Sequence, residues 1–411
     1  MREMKDSGNV WYGKIPYAWE LNKIKYLTTI RSESAIYNPE EDKYIGLENV
    51  NGYSDNVAET DTEYDYSMQS ICKKDDILFS KLRPYLAKVF IAKHNSFCTG
   101  EFIVFSSFNG DRRYLFYSIL NPKFIENINS STYGAKMPRA NPQYIFDQQI
   151  CLPPLAEQQR IAEFLDRECG KIDGLKADIQ AQIDTLEQYK RSIITEAVTH
   201  GLNPSAPMKE CSVSWARQIP QHWKVMPNKH LMTKIKNICP IYKGEDILSL
   251  TMYGVIVRDL DAGGKMPSSF DGYQYIKKGN LLMCLFDIDV TPRCIGIIKQ
   301  SGITSPAYSQ FKMKKIANAR FYYYYYLMLD YTKELLHLAK NLRHSLTEDQ
   351  LGAIKQLVPP IDEQQEIADY LDNKCAEIEQ IIADKKSQIE TLDGYKKSLI
   401  YEYVTGKKEV L

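Results

Sequence analysis

The chain has 411 residues, enough for two or more domains, since single hydrophobic cores rarely grow past roughly 250–300 residues. Its 44% hydrophobic and 25% charged residues are ordinary for a folded globular protein, and Lys plus Arg balance Asp plus Glu at 52 each. A charged N-terminus and a longest apolar run of residues 321–329 argue against a secretory signal or a membrane span, so a cytoplasmic location is expected. Nine cysteines, none in a CxxC pair, are expected to be reduced thiols.

In chain order, the first recognisable element is Trp11-x3-Ile15-Pro16-x2-Trp19. Residues 20–151 then carry short apolar runs, such as Ile77-Leu78-Phe79 and residues 102–105, separated by turn residues. A Tyr/Leu-rich helix is predicted at Arg112–Leu120. From Leu152 the chain reads LPPLAEQQRIAEFLDRECGKIDGLKADIQ, with apolar residues at helical spacing. Gly170 and Gly174 predict a short helix running into a longer one, whose residues 171–199 would span about 44 Å.

The whole order then recurs. Trp215-x3-Ile219-Pro220-x2-Trp223 answers the opening motif at an offset of 204 residues. Residues 225–357 show short strands again and a Tyr-rich helix predicted over residues 320–338. From Val358, VPPIDEQQEIADYLDNKCAEIEQ aligns without a gap to the first tail, now 206 residues on. Pro153/Pro359, Glu157/Glu363, Gln158/Gln364, Gln159/Gln365, Asp166/Asp372, Cys169/Cys375 and Tyr189/Tyr395 all match. Two repeats are too few for a solenoid, so a pseudo-dimer within one chain is expected. Each apolar stripe needs a partner, and the other copy packed antiparallel is the simplest one. His200-Gly201 and Gly406 are the predicted helix stops.

The expected fold is α+β, with two mixed α/β recognition domains (1–151 and 206–357) and two helical spacers (152–205 and 358–411). A plain coiled-coil device explains the stripes equally well. It does not explain why Glu157, Gln158, Gln159 and Tyr189 recur as Glu363, Gln364, Gln365 and Tyr395. These residues are read as the solvent face of the tails and as two equivalent docking sites for one partner.

Charge is uneven along the chain. Residues 206–357 hold 21 Lys and Arg against 12 Asp and Glu, whereas residues 1–151 hold 18 against 19 and both tails are acidic. A basic second middle fits nucleic acid. Its candidate contacts are Arg293, Lys312, Lys314, Lys315, Arg343 and His344. In the first middle, Lys81, Arg83, Tyr85, Lys136, Arg139 and Asn141 sit in Pro-punctuated loops, where Arg can address guanine and Asn adenine.

Catalytic parts are missing. No GxxxxGK[ST] loop, HExxH or paired Cys/His spacing occurs, and no cofactor is expected. Pro39-Glu40-Glu41-Asp42-Lys43 lacks a second upstream carboxylate for a nuclease. Asn141-Pro142-Gln143-Tyr144 resembles the base-holding loop of adenine methyltransferases but has no glycine-rich partner loop, and is read as a turn.

The doubled L/V-P-P-x-x-E-Q-Q-x-I-A-x-x-L-D tail and the doubled W-x3-I-P-x2-W opening resemble the specificity subunit of type I restriction–modification enzymes, over the whole chain. The resemblance implies a non-catalytic subunit bound to double-stranded DNA at a bipartite site. Each middle would read one half, and the helices would set the gap and dock two copies of an adenine methyltransferase subunit. An ATP-dependent translocating restriction subunit would join them. With the helix length above, half-site centres roughly 10–13 base pairs apart are expected.

Overall fold

A computed structural model of the chain describes residues 2–58, 66–260, 267–291, 293–339 and 344–410. The chain divides into two compact units, one of Met1–Gln180 with Lys386–Leu411 and one of Ala181–Lys385. Both long helices therefore contribute to both units, which the division into recognition domains and separate spacers did not anticipate. Among the described residues no helix is long and apolar enough to cross a membrane.

In the first unit an antiparallel four-stranded sheet runs in the order Thr28–Ile30, Phe102–Phe108, Ile77–Ser80, Val89–Ile91. Its central strand is buried throughout, because both faces are covered. Alternation sends Ile77 and Phe79 into a core built on the helix Arg112–Leu120 and the long helices, and Leu78 into a second core with Phe90, Phe102 and Val104. A second sheet covers that far side, in the order Ser34–Tyr37, Ser67–Cys72, Ser96–Cys98, Tyr44–Ile45.

The second unit repeats this plan with different residues. Met232–Ile235, Ser309–Met313, Leu281–Met283 and Ile295–Ile297 form a four-stranded sheet in the same order. Leu281 and Met283 face the helix-side core, and Leu282 faces the smaller one. The two middles thus share the order of this sheet, which their sequences conceal, whereas the far side of the second middle carries two separate two-stranded sheets. The Tyr-rich helix is shorter than expected, Ala319–Tyr331, because Lys333 takes a left-handed backbone (φ 54°) and a 3-10 turn follows at Glu334–Leu338.

The first long helix is continuous from Leu155 to His200, 46 residues or about 69 Å, and the second runs from Ile361 to Val404. Gly170 and Gly174 do not divide the first helix: both are exposed, and the cost of about 1 kcal/mol for each is absorbed by the packed stripe beside them. In the first unit the start of one helix packs with the end of the other. Ile161, Leu165 and Ile172 share a core with Leu399, Ile400 and Val404, and Lys396 pairs with Asp173 at 2.7 Å. In the second unit the roles exchange, with Ile194 and Val198 beside Ile367 and Leu371, and Lys190 paired with Glu379.

All nine cysteines are free, and only Cys211 is partly exposed. Burial pushes the Cys169 and Cys375 thiols up to about 11 and Cys151 up to about 12. A thiol reagent at pH 8 is therefore expected to modify about one cysteine rapidly in the folded chain, and Cys211→Ser should abolish that phase. Several thiols reacting at once would contradict this packing.

Candidate nucleic-acid interface

In the first unit the two basic loops meet. Leu82 and Tyr133 each bridge to Arg139, the Arg83 N–H donates to the Pro138 carbonyl at 2.8 Å, and the Ala140 N–H donates to the Lys81 carbonyl at 2.9 Å. This brings Lys81, Arg83, Lys136 and Arg139 onto one surface with the exposed rings of Tyr85 and Tyr133. Arg83 and Ala87 both adopt left-handed backbone (φ 50° and 47°), a strained turn that presents Tyr85 outward. Arg139 is held by Glu101 at 2.6 Å. Asn141 is exposed next to this surface and also has a local role. Its side chain caps the helix Pro142–Asp147 by accepting from the Gln143 N–H at 2.9 Å, so its carbonyl oxygen is committed.

In the second unit, Lys312 and Lys315 are exposed, and Lys312 lines a recess of about 580 Å³ with Lys277. Sequence reading missed Lys277; the adjacent Lys277-Lys278 pair was its signal. Two expected contacts also make internal hydrogen bonds. Arg293 spends all three guanidinium nitrogens on the Ile295 and Met252 carbonyls and the Tyr323 hydroxyl. Lys314 donates to the Lys229 carbonyl at 2.7 Å. His344 lies 3.9 Å from Asp289, and Arg343 lies outside the described residues.

The repeated Glu-Gln-Gln triplets need correction as well. Gln158 is 3% exposed and Gln364 fully buried, so neither is on a solvent face. Each clamps the start of its Tyr-rich helix. Gln158 accepts from the backbone N–H of Asp111 and donates to the Pro153 carbonyl; Gln364 accepts from the N–H of Asn318 and donates to the Pro359 and Ile316 carbonyls. Asp111 and Asn318 are the N-caps of those helices. Glu157 accepts from Trp19 Nε1 at 3.0 Å and pairs with Arg2, whereas Glu363 takes His222 at 2.7 Å. Gln365 is engaged by Asn318 and Asp369. Of the eight proposed docking residues, Gln159, Tyr189 and Tyr395 are exposed.

A second clamp was missed in the sequence reading. Asp166 accepts from Arg113 and from the Tyr117 hydroxyl at 2.7 Å, and Asp372 accepts from Arg320 and the Tyr324 hydroxyl at 2.7 Å. Burial, reinforced by the carboxylate acceptor, holds both tyrosines protonated. The signal was an Arg-x3-Tyr pair repeated 207 residues apart opposite the repeated Asp. Each recognition middle is thus bolted to a long helix by the same two polar clamps.

Comparison with known proteins follows the same frame. The family model described as type I restriction modification DNA specificity domain matches residues 19–185 and 295–391, more than half of the chain. The chain is 25% identical over 318 residues to the type I restriction enzyme MjaVIII specificity subunit of Methanocaldococcus jannaschii, covering 73% of this chain and 71% of that one. It is 23% identical over 251 residues to the EcoKI specificity subunit of Escherichia coli K12, covering 55% and 50%. A solved structure from work on complex assembly and conformational transition of the type I R-M system superposes with a TM-score of 0.69 at 14% identity, covering 96% and 99%.

Proposed function

Because this chain belongs to the family of type I restriction–modification DNA specificity proteins, we propose that residues 1–151 and 206–357 each read one half of a bipartite, asymmetric DNA site. The long helices set the unread gap and dock two copies of an adenine methyltransferase subunit. Methylation, ATP hydrolysis and cleavage then reside in partner subunits. The observation that carries this reading is the twofold repetition of frame and clamps around loops whose sequences differ. One frame used twice with different loops suits two different half-sequences. The exposed, duplicated Tyr189 and Tyr395 suit one partner bound twice.

The test is to map methylated adenines in DNA from cells carrying this chain and its methyltransferase, then to exchange residues 206–357 for another middle. One half-site should change and the other persist; a change in both halves, or in neither, would refute the division of labour.

Lys312 and Lys315 serve phosphates in this reading. Replacing both by Ala is expected to weaken DNA binding by the assembled complex about equally for all sequences, and to reduce the slope of log K against log salt by about 2. A loss confined to the cognate site would make them base readers instead.

A further inference from the structure

The two units differ at one place where the repeat leads one to expect identity. In the first unit the chain fills its own cleft. The Tyr53 carbonyl accepts from Lys396 Nζ at 2.7 Å, and the Lys397 ammonium lies 4.7 Å from the centre of the Tyr53 ring. Asp55 follows: one carboxylate oxygen accepts the Ile91 N–H at 2.9 Å, and the other pairs with Arg113. Ile91 can donate there because it lies on an edge strand. Ala92 and Ser80 make the ladder bonds to Asp76 and Lys88, which turns the Ile91 N–H outward.

In the second unit the corresponding receiving groups are present, and among the described residues no such loop covers them. Lys190, the counterpart of Lys396, pairs with Glu379 and with no carbonyl among the described residues. Ile297 is the counterpart of Ile91: the bonds from Ile298 to Asn280 and from Cys284 to Cys294 turn its N–H outward in the same way. Arg320 has turned to Asp369 and Asp372, and Arg191, the counterpart of Lys397, stacks on Tyr331. A tight hairpin Leu248–Thr251/Gly254–Val257 ends in Met252 and Tyr253, which are 62% and 80% exposed. Among the described residues an open cleft of about 810 Å³ is left, lined by five cations (Lys190, Lys278, Arg293, Lys299, Arg320) against the carboxylates of Asp372 and Glu379.

We infer that this cleft receives an acidic loop of a partner protein, which sets a carboxylate on the Ile297 N–H and a backbone carbonyl on Lys190, as Asp55 and Tyr53 do in the first unit. A peptide fits better than a DNA backbone. The wall of Tyr323, Tyr324 and Leu327 favours a slim chain carrying an aromatic side chain. The inference deepens the reading of this chain as a subunit with protein partners and rests on it only for the origin of the loop.

The probe is a labelled synthetic peptide with the sequence of residues 51–57, Asn-Gly-Tyr-Ser-Asp-Asn-Val, titrated against the full chain. Saturable binding is expected, weakened about tenfold or more when the peptide Asp is replaced by Asn, since a charge-assisted hydrogen bond contributes about 1.5–3 kcal/mol. Lys278→Glu with Lys299→Glu, both on the exposed rim, should weaken it similarly without changing the thermal midpoint. Equal binding of the Asp and Asn peptides overturns the inference, as does the absence of saturable binding. So does protection of Lys278 and Lys299 from amine labelling by duplex DNA but not by the peptide. The methylation map does not depend on this assay, so each reading can fail alone.

Discussion

Trp19→Phe is expected to lower the unfolding free energy by at least about 2 kcal/mol, and Trp223→Phe by no more than about 1 kcal/mol. Both indoles are fully buried at equivalent positions of the opening motifs, and Ala at either should cost about 3–5 kcal/mol. The Phe pair separates packing from hydrogen bonding. Trp19 Nε1 donates to the Glu157 carboxylate, an interaction of about 1.5–3 kcal/mol that Phe cannot make. In the second unit His222 stands where the first has Ala18, and it captures Glu363. Trp223 Nε1 is left buried with no partner among the described residues, a standing cost of about 1–3 kcal/mol that Phe removes. Urea unfolding of the two variants gives the comparison. Equal losses would mean that the glutamates play no part in holding the indoles.

Gln364→Leu should be comparably severe, about 3 kcal/mol or more. It leaves the Asn318 N–H and the Pro359 and Ile316 carbonyls buried without their partner. Gln364→Met keeps the side-chain length and should be equally damaging, which distinguishes lost hydrogen bonds from lost volume. Gln158→Leu should cost somewhat less, since it abandons one N–H and one carbonyl. A loss below about 1 kcal/mol for Gln364→Leu would show that the clamp is dispensable.

These two sets of residues show why the repeat was easy to see and hard to interpret. Glu157-Gln158-Gln159 and Glu363-Gln364-Gln365 are polar and recur on a helix, a pattern that suggests an outward face. Polarity does not report exposure when backbone groups nearby need partners. The starts of the two Tyr-rich helices arrive beside the long helices with unpaired N–H groups, and the glutamines turn inward to meet them. Asn141 has a local role that the loop composition did not suggest. An amide in a basic loop suits adenine, yet the Pro142 that follows makes it a helix cap. Arg293 stands in the basic middle, but the carbonyls of Ile295 and Met252 and the Tyr323 hydroxyl converge on it.

The helix stops show sequence and tertiary structure agreeing for a reason neither supplies alone. Gly201 and Gly406 have φ of 79° and 68°, as glycine stops require. A Cβ at Gly406 would also lie 2.4 Å from Pro16 and 3.2 Å from Trp19, and one at Gly201 would lie 3.4 Å from Trp223. Each long helix ends against an opening motif: the first against the second motif, the second against the first. Both motifs recur in the sequence because each forms the seat for a helix end.

By itself the sequence determined the doubled frame, the long helical tails and their stops, the α+β class and the family. All of these rest on periodicity and residue type, which are local and readable along one chain. Tertiary structure alone decided that both middles share one sheet order, that the glutamines and the repeated aspartates are clamps, and that one cleft is filled while its counterpart stands open among the described residues. Those outcomes depend on which donor meets which acceptor across dozens to hundreds of residues of chain. The cost of leaving a buried polar group unpaired selects among such meetings, and no pattern along the sequence records that cost.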